Sequence, residues 1–316
     1  MLDNLKNSTF YSLNEVASDR NLTMIQGDCH REQLLDELVP KVDAVFHLAA
    51  ILGVKTCVEK PLQVIEGNIN GTMILLKKAY QYGKKLIFAS TSEIYGKNEQ
   101  IPFKENSDRI LGATSVARWC YSSTKALEEH LCLAYGMQGL PVTILRYFNA
   151  FGPRANASAY GGVIPIFIKA ALQAKPLQVF GDGKQSRCFT YVSDTVEATK
   201  RSLSPRADGQ IINIGSRHTI TIDELARLII QLTEARSEIQ YVPYEEAYGT
   251  GYEDMKEREP HIEKMEQILA YSSQIRLEEG LERTIDWFKK TVRIIKGTSP
   301  RGNSSRTGLF PVLLNF

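Results

Sequence analysis

The chain has 316 residues, a formal net charge of +2 and 23% charged residues, a balance that gives no electrostatic footprint for nucleic acid or an acidic membrane. Its 43% hydrophobic content is enough to bury a sizeable core, and no apolar run is long enough to span a bilayer. Five scattered cysteines (Cys29, Cys57, Cys120, Cys132, Cys188), odd in number and without Cys-x-x-Cys, point to reduced thiols in a cytoplasmic protein and not to a metal site.

The first half alternates short apolar runs with amphipathic stretches. Leu22–Ile25, Ala44–Leu48, Leu86–Ala89 and Val142–Tyr147 read as buried strands. Between them, Gly71–Tyr82 places Ile74, Leu75 and Ala79 at helical spacing, and Thr124–Tyr135 does so with Leu127, Leu131 and Ala134. Gly136 and Gly139-Leu140-Pro141 supply a helix stop and a strand start. This rhythm predicts an α/β fold, a parallel sheet covered on both faces. From about Asn149 the pattern changes. Phe151-Gly152-Pro153-Arg154 and Gly181-Asp182-Gly183-Lys184 precede shorter elements: a strand at Ile211–Ile214, a helix from Asp223 to about Thr233 and a late helix around Leu281–Lys290. Residues 1–150 are thus expected to form one domain and 151–290 a smaller mixed region interleaved with it. Residues 291–316, rich in Gly, Ser, Arg and Lys and without an acid, are expected to be a flexible tail. Its apolar end is short and broken by Pro311, which argues against a membrane-surface role.

One segment carries chemistry. Tyr121 and Lys125 lie one turn apart on the expected helix, so an ammonium would sit beside a phenol and lower its pKa from about 10 toward neutrality. Tyr121 would then be a general base for an alcohol. The competing reading is a surface pair on a solvated helix, since Tyr-x-x-x-Lys is a weak motif alone. Thr91 follows the Leu86–Ala89 run, at the strand end where open parallel sheets bind ligands, and its hydroxyl could bond the same alcohol. Glu93 offers a second acid or base; a local cap or turn is the alternative for this stretch. Arg146, Arg154, Arg187 and Arg258 lie in apolar or Gly/Pro-rich settings and could converge on a diphosphate, although each alone reads as a surface ion pair.

In order along the chain stand His47-Leu48-Ala49-Ala50, Asn68-Ile69-Asn70-Gly71-Thr72, Ser90-Thr91-Ser92-Glu93-Ile94-Tyr95-Gly96, Tyr121-x-x-x-Lys125, Arg146-Tyr147-Phe148-Asn149-Ala150-Phe151-Gly152-Pro153-Arg154 and Gly181-Asp182-Gly183-Lys184-Gln185-Ser186-Arg187. With Arg258-Glu259-Pro260-His261-Ile262, this series resembles the extended short-chain dehydrogenase/reductases, specifically the NAD-dependent epimerase/dehydratase family acting on nucleotide sugars, over roughly residues 1–290. The resemblance implies a doubly wound, Rossmann-like sheet with a C-terminal substrate region, and NAD as cofactor. It implies that Asp3 binds the adenosine ribose and Asp28 the adenine side. Ala49, Ala50 and Asn68 would line the dinucleotide, and Lys125 would touch the nicotinamide ribose. Ser92, Asn149, Arg187 and Arg258 would hold a UDP-sugar, and Tyr121, Lys125, Thr91 and Glu93 would carry catalysis through transient oxidation at C4. A 4-epimerase for UDP-glucose or a UDP-hexuronate ranks first, because epimerisation asks least of the site. UDP-uronate decarboxylase or sugar dehydratase follows, on the triplet Thr91-Ser92-Glu93. Partners are the UDP-sugar and, by family habit, a second copy of the chain in a homodimer.

The sequence departs from this family at its front. The expected strand, Gly-x-x-Gly-x-x-Gly turn, helix and second strand span about 30 residues, and Met1-Leu2-Asp3 matches only the end of that second strand. A truncated Rossmann domain is therefore expected. Either the strand near Ile25 pairs with the Val45 or the Leu86–Ala89 strand and closes the gap, or the true start lies upstream. A competing reading of another class follows: a catalytically impaired UDP-sugar-binding remnant or partner subunit.

Overall fold

A computed structural model describes residues 1–6, 10–155, 162–249 and 253–297. In chain order the first half holds β1 (Leu2–Asp3), β2 (Ile25–Gln26), α1 (Glu32–Leu38), β3 (Ala44–His47), α2 (Val54–Glu59), α3 (Pro61–Gln81), β4 (Lys85–Thr91), α4 (Trp119–Met137) and β5 (Val142–Tyr147). The second half holds β6 (Ala150–Phe151), α5 (Val163–Leu172), β7 (Leu177–Phe180), β8 (Ser186–Cys188), β9 (Thr190–Tyr191), α6 (Val192–Arg201), β10 (Ile211–Ile214), β11 (Thr219–Thr221), α7 (Ile222–Thr233), β12 (Ile239–Val242), α8 (Tyr244–Tyr248), β13 (Glu257–Arg258), α9 (Glu263–Leu269) and α10 (Leu277–Gly297).

The central sheet runs β10-β5-β4-β3, all parallel. Its strands are continuous apolar runs because both faces are covered. Leu86, Phe88, Val142 and Ile144 pack with Leu75, Leu76 and Ala79 of α3 and Cys132 of α4. Ile87, Leu145 and Ile212 point the other way, onto Ala198 of α6 and Met265 and Leu269 of α9. β10 comes from the second half of the chain yet completes this sheet, pairing Ile211–Ile214 with Ile144–Tyr147. The smaller region has its own core, with Phe151, Phe167, Ile229, Leu281 and Ile285 fully or almost fully buried. Its three-stranded sheet β11-β8-β13 brings Arg258 opposite Arg187 in register.

Three expectations need correction. The strand near Ile25 does not close onto the Val45 or Leu86 strands. β2 pairs in parallel with β1 alone among the described residues, because Leu2 packs with Val45, Leu35 and Leu75 and holds β1 beside the core. The late helix does not stop near Lys290: α10 runs to Gly297, so residues 291–297 are helical, and the rest of the expected tail, 298–316, lies outside the described residues. The four arginines do not converge. Arg146 forks onto Glu129 of α4, Nε to Oε1 at 2.9 Å and Nη2 to Oε2 at 2.7 Å, and donates to Tyr95 Oη and the Glu105 carbonyl. Arg154 pairs with Glu15 at the surface.

Candidate active site

Thr91 is the last residue of β4, and its hydroxyl accepts the Glu93 amide at 3.2 Å, which turns the chain into a short 3-10 segment, Ser92–Tyr95. This geometry places Glu93 and the buried Ser92 at the carboxyl end of the sheet, the edge where ligands bind. Tyr121 and Lys125 stand on the first turns of α4, which packs against β4. Tyr121 shares a hydrogen bond with Thr91. The structure thus brings Thr91, Glu93, Tyr121 and Lys125 together.

The phenol, however, is not made acidic in the way its spacing suggests. Burial pushes the Tyr121 pKa up, and the nearby Glu93, Glu128 and Cys57 push it further; only the Thr91 hydrogen bond pulls down. The reason lies in Lys125. Its ammonium is 2% exposed and points inward, bonded to the Ala89 carbonyl at 3.2 Å, paired with Glu128 at 3.2 Å and seated 4.5 Å over the Phe88 ring. Burial lowers the Lys125 pKa, and Glu128 works against that.

A second cluster flanks Glu93. Glu93 Oε1 receives Arg258 at 3.0 Å and lies 3.9 Å from Arg118. Asp254 receives Arg118 at 2.9 Å and Arg187 at 3.2 Å, with the Tyr244 hydroxyl at 3.1 Å. Burial acts to raise the pKa of both carboxylates, but the arginines outweigh it and hold both below the usual range. Glu93 is therefore an ionised acceptor, not an acid. Arg118, Asp254 and Glu128 escaped the sequence reading. Arg118 had a signal, a lone charge in Val116-Ala117-Arg118-Trp119-Cys120, three residues before Tyr121. Asp254 had none: its place depends on Glu253, which accepts from the Trp119 indole at 2.8 Å and pairs with Lys97 at 3.1 Å.

The residues expected on the cofactor side form a separate edge of the same sheet end. Asn68 of α3 is buried and clamps the chain after β3, accepting the Ile51 amide at 2.7 Å and donating to the Ile51 carbonyl at 2.9 Å. That clamp fixes the path of Ala49 and Ala50, which are exposed and half-buried. Asp3 follows β1 and accepts the Leu5 amide at 2.7 Å; Asp28 follows β2, bonded to Asn4 and His30. A hydroxyl, a phenol and an ammonium at one end and two carboxylates at the other form a donor set that fits the two riboses of a dinucleotide. Asn149 lies apart from these, its amide donating to the Cys188 carbonyl at 3.2 Å beside Arg187.

Behind Lys125 runs a buried chain of polar groups. The Thr72 hydroxyl donates to Glu128, and His47 Nε2 lies 2.8 Å from the same hydroxyl. Burial, with the Lys125 charge and His30 beside it, depresses the His47 pKa to about 3. The folded protein therefore keeps His47 neutral at a pH where the unfolded chain, near 6.5, takes a proton. Stability from this group is complete above about pH 6.5 and falls as pH drops toward 3, by about 1.4 kcal/mol per unit once the unfolded histidine is protonated. Urea melts between pH 7 and 4 should show this slope in the native protein and a shallower one in His47→Asn; equal slopes would remove His47 as the cause.

Residues 2–215 match the profile of the NAD-dependent epimerase/dehydratase family. The chain belongs to that family. It is 52% identical over 256 residues to a UDP-N-acetyl-alpha-D-glucosaminuronate decarboxylase of Bacillus cytotoxicus, covering 81% of this chain and 79% of that one. It is 33% identical to a UDP-glucuronate 4-epimerase of Thermodesulfobacterium geofontis, covering 91% and 85%. Among solved structures, UDP-glucuronic acid 4-epimerase from Bacillus cereus, in complex with UDP-glucuronic acid and NAD, superposes with a TM-score of 0.81 at 28% identity, over 92% of this chain and 90% of that one. The fold is the Rossmann-like α/β architecture of these NAD-dependent enzymes, and no helix among the described residues is long and apolar enough to cross a membrane.

Proposed function

We propose that this enzyme decarboxylates a UDP-linked uronic acid, with the N-acetylglucosaminuronate sugar as its substrate class, by transient oxidation at C4. The order of the two leading sequence readings is thereby reversed. The observation that carries the choice is the surplus cation beside Tyr121. Arg118, Arg187 and Arg258 face only Glu93 and Asp254, and Arg258 Nε is a buried donor with no hydrogen-bond partner in the protein. A sugar carboxylate supplies the missing acceptor and the missing negative charge. The 52% identical decarboxylase supports the same choice.

NAD, when bound, supplies a reversible hydride acceptor for C4 and is regenerated within the cycle. Tyr121 takes the proton of the 4-hydroxyl, with Thr91 aligning that hydroxyl. A ketone at C4 makes the C6 carboxylate a β-keto acid. When the C5–C6 bond breaks, carbon dioxide leaves and its electron pair is shared between C5 and the C4 oxygen, which Tyr121 and Thr91 stabilise by hydrogen bonding. C5 then takes a proton. Glu93, held ionised by Arg258 and Arg118, is shaped to orient water or sugar hydroxyls there and not to give up a proton itself. Asn149 and Arg187 would hold the UDP portion. Purified protein incubated with UDP-N-acetylglucosaminuronate, UDP-glucuronate and UDP-glucose should release carbon dioxide and a UDP-pentose from a uronate. Recovery of a 4-epimeric uronate with its carboxylate intact would give the site to the epimerase reading instead.

A further inference from the structure

Two consecutive glutamates follow Lys125 on α4, and both are buried, Glu128 to 1% and Glu129 to 4% exposure. Their settings differ. Glu129 is fully engaged away from the site, forked by Arg146 and bonded by Ser90 at 2.5 Å. Glu128 has no arginine. Its cation is Lys125, 3.2 Å away and one turn earlier, and its other contact is the Thr72 hydroxyl, which leads to His47. A buried carboxylate with one cationic partner draws that partner toward itself, since leaving either charge unpaired in a dry interior costs several kcal/mol.

We infer that Glu128 is a positioning residue for the Tyr121–Lys125 pair: by anchoring the Lys125 ammonium toward Thr72 and His47, it sets how much of that cation's field reaches the phenol. Three observations on different elements support this. Lys125 lies along the Phe88 ring and Ala89 carbonyl of β4, on the inward path to Glu128. His47 of β3 is neutral, so the network holds one positive and one negative charge and nothing else competes for the ammonium. Tyr121 feels Glu128 as a net opposing charge. The charged and titratable groups facing the phenol are Glu93 from the 3-10 segment after β4, Cys57 from α2 and Glu128 from its own helix. Those facing Lys125 are Glu128, Glu129 and Cys132 of α4.

The inference rests on Tyr121 as the proton acceptor but not on which sugar product forms, so its test avoids turnover. Fluorotyrosine at position 121, whose lower intrinsic pKa brings the titration into the native range, can be followed by fluorine NMR in the otherwise unaltered chain and in Glu128→Gln. Removing the carboxylate charge should lower the titration midpoint by about one pH unit, a tenfold gain in phenolate at fixed pH. In NAD-loaded enzyme the acidic limb of kcat/KM should move the same way. An unchanged midpoint in a folded Glu128→Gln protein overturns the inference, whatever the product assay shows. If Glu128→Gln does not fold, Thr72→Val is titrated instead. It withdraws the hydroxyl that keeps Glu128 ionised, so the midpoint should again fall, and an unchanged value overturns the inference equally.

Discussion

Tyr121→Phe should lower turnover of the UDP-sugar by about 10²–10⁴-fold, the range typical of losing a positioned general base. The substitution deletes one oxygen. The ring keeps its place on α4, and the lost contact is the single hydrogen bond to Thr91. Stability should therefore change by about 1 kcal/mol or less, close to the net worth of one hydrogen bond. KM should hold, since the arginine cluster of Arg118, Arg187 and Arg258 is untouched. Steady-state kinetics with thermal melts separates the two quantities. Turnover within a few-fold of the native enzyme would refute a proton-abstracting phenol and with it the chemistry assigned to this sheet edge.

Arg146→Met should have the largest effect on stability, a loss of about 3–5 kcal/mol. Arg146 is 5% exposed. Its guanidinium satisfies both oxygens of Glu129, the Tyr95 hydroxyl and the Glu105 carbonyl. Tyr95 in turn donates to Asn213 of β10 at 2.7 Å, and Asn213 binds the Phe103 and His261 carbonyls. Methionine fills the volume but leaves a buried carboxylate without its cation. The double variant Glu129→Leu with Arg146→Met should recover much of the loss, because removing both charges also removes the desolvation cost. Urea melts of both variants check this; a single variant as stable as the native protein would show that the fork contributes nothing.

Arg146 also shows what the residues alone convey. Its strand was legible to the residue, because Val142–Tyr147 is a buried run bounded by Pro141 and Asn149, and an arginine inside such a run must meet a carboxylate. Which carboxylate was not legible, since Glu129 reaches it from the facing helix. Grouping Arg146 with Arg187 and Arg258 therefore misread a structural fork as a ligand site. The helix carrying Tyr121 and Lys125 was legible from its period, yet the direction of the Lys125 ammonium was not. Spacing puts two residues on one face, but a buried partner at i+3 decides where the longer side chain goes. Asp254 and the pairing of Arg187 with Arg258 rest on register between strands some seventy residues apart, which no local pattern encodes.

That same register has a bearing on how such enzymes diversify. Thr91, Tyr121 and Lys125 come from one uninterrupted strand-helix-strand stretch, 85–147, whereas Arg187, Asp254 and Arg258 arrive from a distant, separately sheeted part of the polypeptide. Alcohol oxidation and sugar choice are thus inherited on different segments. A lineage can retune the second by drift around β8 and β13 while the first stays under undiminished selection, so one ancestral redox apparatus can serve many glycosyl donors.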